Sequence, residues 1–234
     1  MVRKLLWVSF VLTVSAVLFA GCGNDAVIIG QLPGELDPEP DFLTGYLEAP
    51  NGQYSAADSS LWRFASILFP SSAHALARNV VPVGAGIPVT LYLATPEEAA
   101  AGNTSAHPIT TQATDTNGRF ALPFLDGTEV GMCGLLMSAG TGSDVTRAFV
   151  YASEQNLNAV GEAVVRSILD YIELHQDVGL CDYTSSEIDD ITFQVNAASQ
   201  NTGGSSVAVL NENVYRDARE DEAVQELLRR YGTN

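Results

Sequence analysis

Two stretches of apolar and polar alternation, placed on either side of a glycine turn, constrain this chain more than any other feature. In "GIPVTLYLA", Val89, Leu91 and Leu93 fall on one side and Thr90 and Tyr92 on the other. Beyond Asn117-Gly118, Phe120, Leu122 and Phe124 alternate in the same way. A repeat of two is that of a strand with one buried face. The link between them, "TDTNGRF", could be read as part of a calcium loop or as a tight turn. Counting from Asp115, the fifth position of a calcium loop holds Arg119, a cation where a ligand belongs. Its sixth holds Phe120 in place of glycine, and its twelfth holds Asp126 in place of a bidentate Glu. Asn-Gly between alternating segments is instead a leading hairpin signal, because both residues tolerate positive φ. Asp115, Asn117 and Gly118 are therefore read as a structural turn, with Asp115 accepting from backbone N–H groups and no metal held.

Further strand-like text surrounds this pair. "FLTGYLEAPNGQ" alternates loosely and closes on Pro50-Asn51-Gly52, a turn signal. Residues 108–114 are rich in Thr and Ile, and "VGMCGLLMSA" and "VTRAFVYA" supply two more strands. Between 58 and 78 lies a helical insertion in which Leu61, Phe64, Ala65, Leu68 and Phe69 share a face. Its one cation before Pro70 is Arg63, which fits a helix lying over a sheet better than one lying on a membrane.

After residue 153 the period lengthens. Val160, Val164, Ile168 and Ile172 line one helical face, with Asn156 or Asn158 as the cap. Thr184-x-x-Glu187 is a capping box that leads into Ile188, Ile191 and Val195. Past Gly203-Gly204, Val224, Leu227, Leu228 and Tyr231 predict a last amphipathic helix closed by Gly232. The expected architecture is α+β: an antiparallel β-sandwich over 42–153, then a helical region over 154–234.

The first residues read as an address. Arg3 and Lys4 precede an apolar run over 5–20, which ends in Leu18-Phe19-Ala20-Gly21-Cys22. A charged start, a short apolar core and small residues before the cut make a secretory signal over 1–21. Cysteine after Ala-Gly resembles the bacterial lipobox, although Phe19 stands where Leu, Val or Ile is usual. The resemblance implies that Cys22 is lipidated and becomes the new N-terminus, the chain's link to a membrane. The alternative is an uncleaved anchor, but the apolar run is short for a spanning helix, which needs about 20 residues. Two or three acyl chains give stable attachment where one gives marginal binding. Gly23 follows, where Asp would retain the protein at the inner membrane, so the expected location is the outer membrane of a bacterial cell envelope. Residues 22–41 form a tether, since "LPGELDPEPD" carries three prolines and four acids that deny it helix and packed strand.

The chain carries 28 acidic against 11 basic residues, a net charge of −17. Such a balance argues against nucleic acid and anionic head groups as partners, since both reward Lys and Arg. With Cys22 given to lipid, Cys133 and Cys181 remain as an even pair in an oxidising compartment. They are a candidate disulfide, with two reduced and buried thiols as the alternative.

The form glycine, hydrophobic, Pro-Val-x-Leu, followed by Thr-Asp-x-Asn-Gly-x-Phe-x-Leu, resembles the carboxypeptidase regulatory-like domain. Here it is carried by Gly86, Pro88, Val89 and Leu91, then by the run from Thr114 through Asn117-Gly118 to Phe120 and Leu122. The resemblance covers about 42–152 apart from the insertion and implies a transthyretin-like β-sandwich. "NLNAVGEAVVRSILDYI" and "YTSSEIDDITFQVNAA" in turn look like the tail of bacterial lipoproteins that pair this sandwich with C-terminal helices. Neither likeness carries an activity, because function lives in sites grafted onto folds.

No sequence motif marks a catalytic, cofactor or metal site. His74, His107 and His175 lack a Glu three residues on, as a zinc carboxypeptidase would require. A hydroxyisourate hydrolase of this fold would end in Tyr-Arg-Gly-Ser, where Tyr215-Arg216-Asp217-Ala218 is only a partial match. No nucleophile elbow, phosphate loop or His-Glu-x-x-His helix is written in the chain. The acid pairs Glu97-Glu98 and Asp189-Asp190 point in different directions if helical. Two readings result. One is a non-catalytic, lipid-anchored envelope protein that binds a protein or glycan or acts as a structural unit. The other is a hydrolase assembled from dispersed acids.

Overall fold

A computed structural model describes residues 41–54, 80–100, 107–125 and 127–232, all within the unit Pro40–Asn234. The signal segment with Cys22, nearly all of the tether and the insertion near 58–78 lie outside the described residues. In chain order the strands are β1 (Phe42–Tyr46), β2 (Glu48–Pro50), β3 (Val80–Pro82), β4 (Pro88–Leu93), β5 (Pro108–Ala113), β6 (Arg119–Pro123), β7 (Leu135–Ala139) and β8 (Thr146–Phe149). The helices are α1 (Pro96–Ala100), α2 (Ala159–Leu174), α3 (Ser185–Ala198), α4 (Val207–Glu220) and α5 (Glu222–Tyr231). The protein is thus α+β, and among the described residues all strand ladders are antiparallel.

β4 organises the sheets. It lies between β5 and β7 in a four-stranded sheet of order β5-β4-β7-β8, while β1 pairs with β6 and β2 with β3. Val89 and Leu91 of β4 join Leu135 and Met137 of β7 in a core shared with Leu43, Phe120 and Leu122 of the β1–β6 pair. The expected alternation produces that core. Leu93 does not enter it and stays 38 % exposed. The ladder to β5 shifts register between Leu91 and Tyr92, and the alternating pattern ends there.

The opposite face of the same sheet is also covered. Tyr92, Leu136 and Phe149 pack against Val164, Ile168, Ile191, Leu210 and Leu228 of the helical layer. β7 therefore reads "LLMSA" with every residue buried, as expected of a strand covered on both faces. Adjacent residues of one strand, Leu91 and Tyr92, lie in different cores.

The helices start where the sequence places caps. Asn158, not Asn156, caps α2, its side chain accepting from the N–H groups of Val160 and Gly161. Thr184 and Glu187 form the capping box of α3. The text after Gly203-Gly204 makes two helices instead of one, because Asp221 caps α5 through the Val224 N–H and ends α4. Gly232 closes α5 with an ordinary right-handed backbone, so its use is space: an added Cβ would lie 2.6 Å from the Tyr171 ring.

The strand expected over 42–49 divides at Leu47, whose bridge partner is Leu157. Residues 153–157 run parallel to β1, with Thr44 N–H donating to Ser153 and Gln155 N–H to Thr44. The close approach requires Gly45, where a Cβ would sit 1.9 Å from the Gln155 carbonyl oxygen.

Candidate functional site

The turn at 114–120 is built by Asp115. Its carboxylate accepts from the Asn117 N–H at 2.8 Å and the Arg119 N–H at 2.9 Å, while Gly118 N–H donates to the Asp115 carbonyl. Gly118 alone of the Asn-Gly pair takes positive φ, at 76°. Beyond the turn the strands part, β5 to the four-stranded sheet and β6 to β1. Both of the Asp115 side-chain bonds fall on one carboxylate oxygen, Oδ1.

Cys133 and Cys181 are joined in a disulfide, with Cα atoms 5.1 Å apart. The bond ties the segment before β7 to the short 3₁₀ turn Leu180–Asp182 that precedes α3. It links the sheet to the helical layer.

The most strongly charged buried contact was not anticipated from the sequence. Arg147 on β8 and Glu162 on α2 are 6 % and 3 % exposed. Glu162 accepts from the Arg147 backbone N–H at 2.8 Å, from Nε at 3.0 Å and from the terminal nitrogen at 2.6 Å. The other terminal nitrogen donates to the Ala99 carbonyl of α1. Burial opposes the Arg147 charge, but the hydrogen bonds and charge of Glu162 outweigh it and hold the guanidinium above its ordinary range. A cation in apolar strand text and a Glu on a buried helix face were the signals available. Tyr92 lies nearby, its hydroxyl buried and without a hydrogen-bond partner among the described residues. Burial pushes its phenol up to about 12, opposed by Arg147. Tyr54, raised chiefly by burial, donates to the Ala139 carbonyl at 2.8 Å.

Two clefts border α2. One, of about 370 Å³, is lined by Ser143, Arg147, Glu162, Arg166, Asn211 and Glu212 among others. Its charges are mutually engaged: Arg166 contacts Glu212 at 2.9 Å and also stacks over Tyr215. The other, of about 260 Å³, is lined by Tyr151, Glu154, Gln155, Asn156, Asn158 and Thr192 with neighbouring backbone. Its amides hold the chain in place. Gln155 accepts from Tyr151 N–H and donates to the Phe149 carbonyl. Asn156 accepts from Tyr46 N–H, and Asn156 and Asn158 both donate to Glu48.

The remaining candidates have local duties. Glu98 accepts from Thr95 N–H at 2.9 Å and lies 3.7 Å from the exposed His107. Asp190 accepts from the Tyr231 hydroxyl, and His175 stacks on Tyr171. Tyr215 donates to Asp170. His74 lies outside the described residues. Among the described residues no group of three or more His, Cys, Asp and Glu is placed to hold a metal ion, and no helix is long and apolar enough to cross a membrane.

Comparison with protein-family models, curated proteins and solved structures finds no match to this chain.

Proposed function

We propose that the chain is an exported, lipid-anchored protein of a bacterial outer membrane, held there through Cys22. Its transthyretin-like β-domain is a non-catalytic binding or structural unit. The observation that carries the reading is the Cys133–Cys181 disulfide, a bond of oxidising compartments, in a chain that opens with a secretory pattern and a lipobox-like cysteine. Support for the sandwich comes from the core that the β1–β6 pair shares with the four-stranded sheet. The engagement of Glu162 by Arg147 and of Glu212 by Arg166 favours scaffold over dispersed-acid hydrolysis.

Growth with labelled palmitate tests the anchor. Label is expected on the wild-type protein and lost in Cys22→Ser, which should keep its disulfide. Equal labelling of both chains would overturn the reading. Pull-down of the labelled protein from solubilised membranes tests for a partner.

A further inference from the structure

The two outer edges of the four-stranded sheet are treated in opposite ways. On β8 the edge is occupied by side chains: Arg147 N–H donates to Glu162, the Phe149 carbonyl accepts from Gln155, and the Val145 carbonyl just before the strand accepts from Asn211. On β5 no such bond occurs among the described residues, and the strand has a paired neighbour on one side only. Thr114 donates to the Ile87 carbonyl and accepts from Gly86 N–H, so it faces β4. By antiparallel alternation Gln112 and Thr110 face β4 too, and Ala113 and Thr111 turn their N–H and C=O groups outward, as far as the register shift opposite Leu91 and Tyr92. Thr111, Gln112 and Ala113 are exposed.

A strand edge with no second partner among the described residues is a template for an added strand. We infer that β5 is the docking site of an extended peptide segment of a partner protein, with neutral β-forming residues in its centre and a cation at each end. Charge complementarity selects this occupant. Residues 108–114 carry no ionisable side chain, while Asp115 stands at one end and Glu98 beside His107 at the other. A second copy would set the Asp115 end of one chain against the Glu98 end of the other, and bring two molecules of net charge −17 together. A basic segment meets attraction over the whole acidic surface. The proposal rests on the binding half of the functional reading and is independent of the anchor, so palmitate labelling and peptide binding can fail separately.

The test uses the full chain in detergent and a fluorescent probe, acetyl-Lys-Thr-Val-Thr-Val-Thr-Val-Thr-Lys-amide. Anisotropy is expected to give saturable binding tighter than about 1 mM, weakening as salt is raised. Thr111→Pro removes one outward N–H and should weaken binding at least ten-fold while the far-UV circular dichroism is unchanged. Thr111→Lys, which leaves the backbone intact and places a cation on the edge, should also weaken it and stands in if the proline variant does not fold. A probe N-methylated at alternate residues should fail to bind, and Glu98→Gln should cost a few-fold. Equal binding of the methylated probe, or no loss in either Thr111 variant, would mean adsorption to a polyanion and overturn the proposal. So would absence of binding, or a wild-type dimer by sedimentation that Thr111→Lys dissolves, which would make a second copy the occupant.

Discussion

Gly118 meets two demands. Its φ of +76° is one that side-chain-bearing residues rarely adopt, and a Cβ there would lie 2.6 Å from the Val83 carbonyl oxygen. Gly118→Ala is expected to destabilise the protein by about 1–3 kcal/mol, read as a lower urea midpoint at unchanged slope. Asp115→Ala should cost about 1.5 kcal/mol by orphaning two N–H groups, whereas Asp115→Asn keeps a side-chain acceptor and should be nearly neutral. The turn was legible because its chemistry is local. What was not legible is that the strands part after it, since that depends on partners distant in sequence. Tyr92 gives a residue-scale pH prediction. Its phenol is raised by burial from 10.0 to about 12, so between those values the unfolded chain has released a proton that the folded chain keeps. Stability is fully present below pH 10 and falls as pH rises, by about 1.4 kcal/mol per unit per such tyrosine. Tyr54, also buried and raised, adds to the slope. Denaturant titrations on either side of pH 10, repeated on Tyr92→Phe, check this: the variant should lose less stability with alkali.

At the scale of elements, the Arg147–Glu162 pair fastens β8 to α2 and, through the Ala99 carbonyl, to α1. It also closes the backbone edge of β8. Removing one partner leaves a buried charge, so Glu162→Ala should cost about 3–5 kcal/mol. Replacing both, as Arg147→Met with Glu162→Leu, should recover much of that loss, because two apolar side chains need no desolvation of charge. A double-mutant cycle by urea unfolding measures the coupling, and equal loss in the single and double variants would refute the clamp. The sequence marks elements unevenly here. Asn158 and Thr184 are legible caps because capping is decided within a few residues. The cover over Tyr92 and Phe149 was hidden, because an all-apolar run such as "LLMSA" does not reveal which layer lies on each face. Asp221 ends α4 and caps α5 with one carboxylate, and it falls within a run of charged residues where no single cap is conspicuous.

The whole molecule turns on one sheet serving two cores. Leu91 and Tyr92, Leu135 and Leu136, and Ala148 and Phe149 are adjacent pairs whose members enter different clusters. Loss of the helical layer would bare Tyr92, Leu136 and Phe149, three large side chains each worth about 1.5–3 kcal/mol when buried. Loss of the β1–β6 pair would bare the other face of the same strands. Neither half can leave at low cost, so the described unit should unfold in one transition, with far-UV circular dichroism and tyrosine fluorescence coincident. The disulfide crosses the junction between sheet and helices over a sequence separation of 48. Constraint of the unfolded chain by a loop of that length is worth about 4 kcal/mol. Cys133→Ser with Cys181→Ser should therefore lower the urea midpoint while both probes still move together. If the transition instead splits, with helical signal lost first, the bond and not the shared sheet unites the two cores. Coincident curves at a reduced midpoint would assign cooperativity to the packing on β4, β7 and β8, and leave to the disulfide only the depth of the folded well.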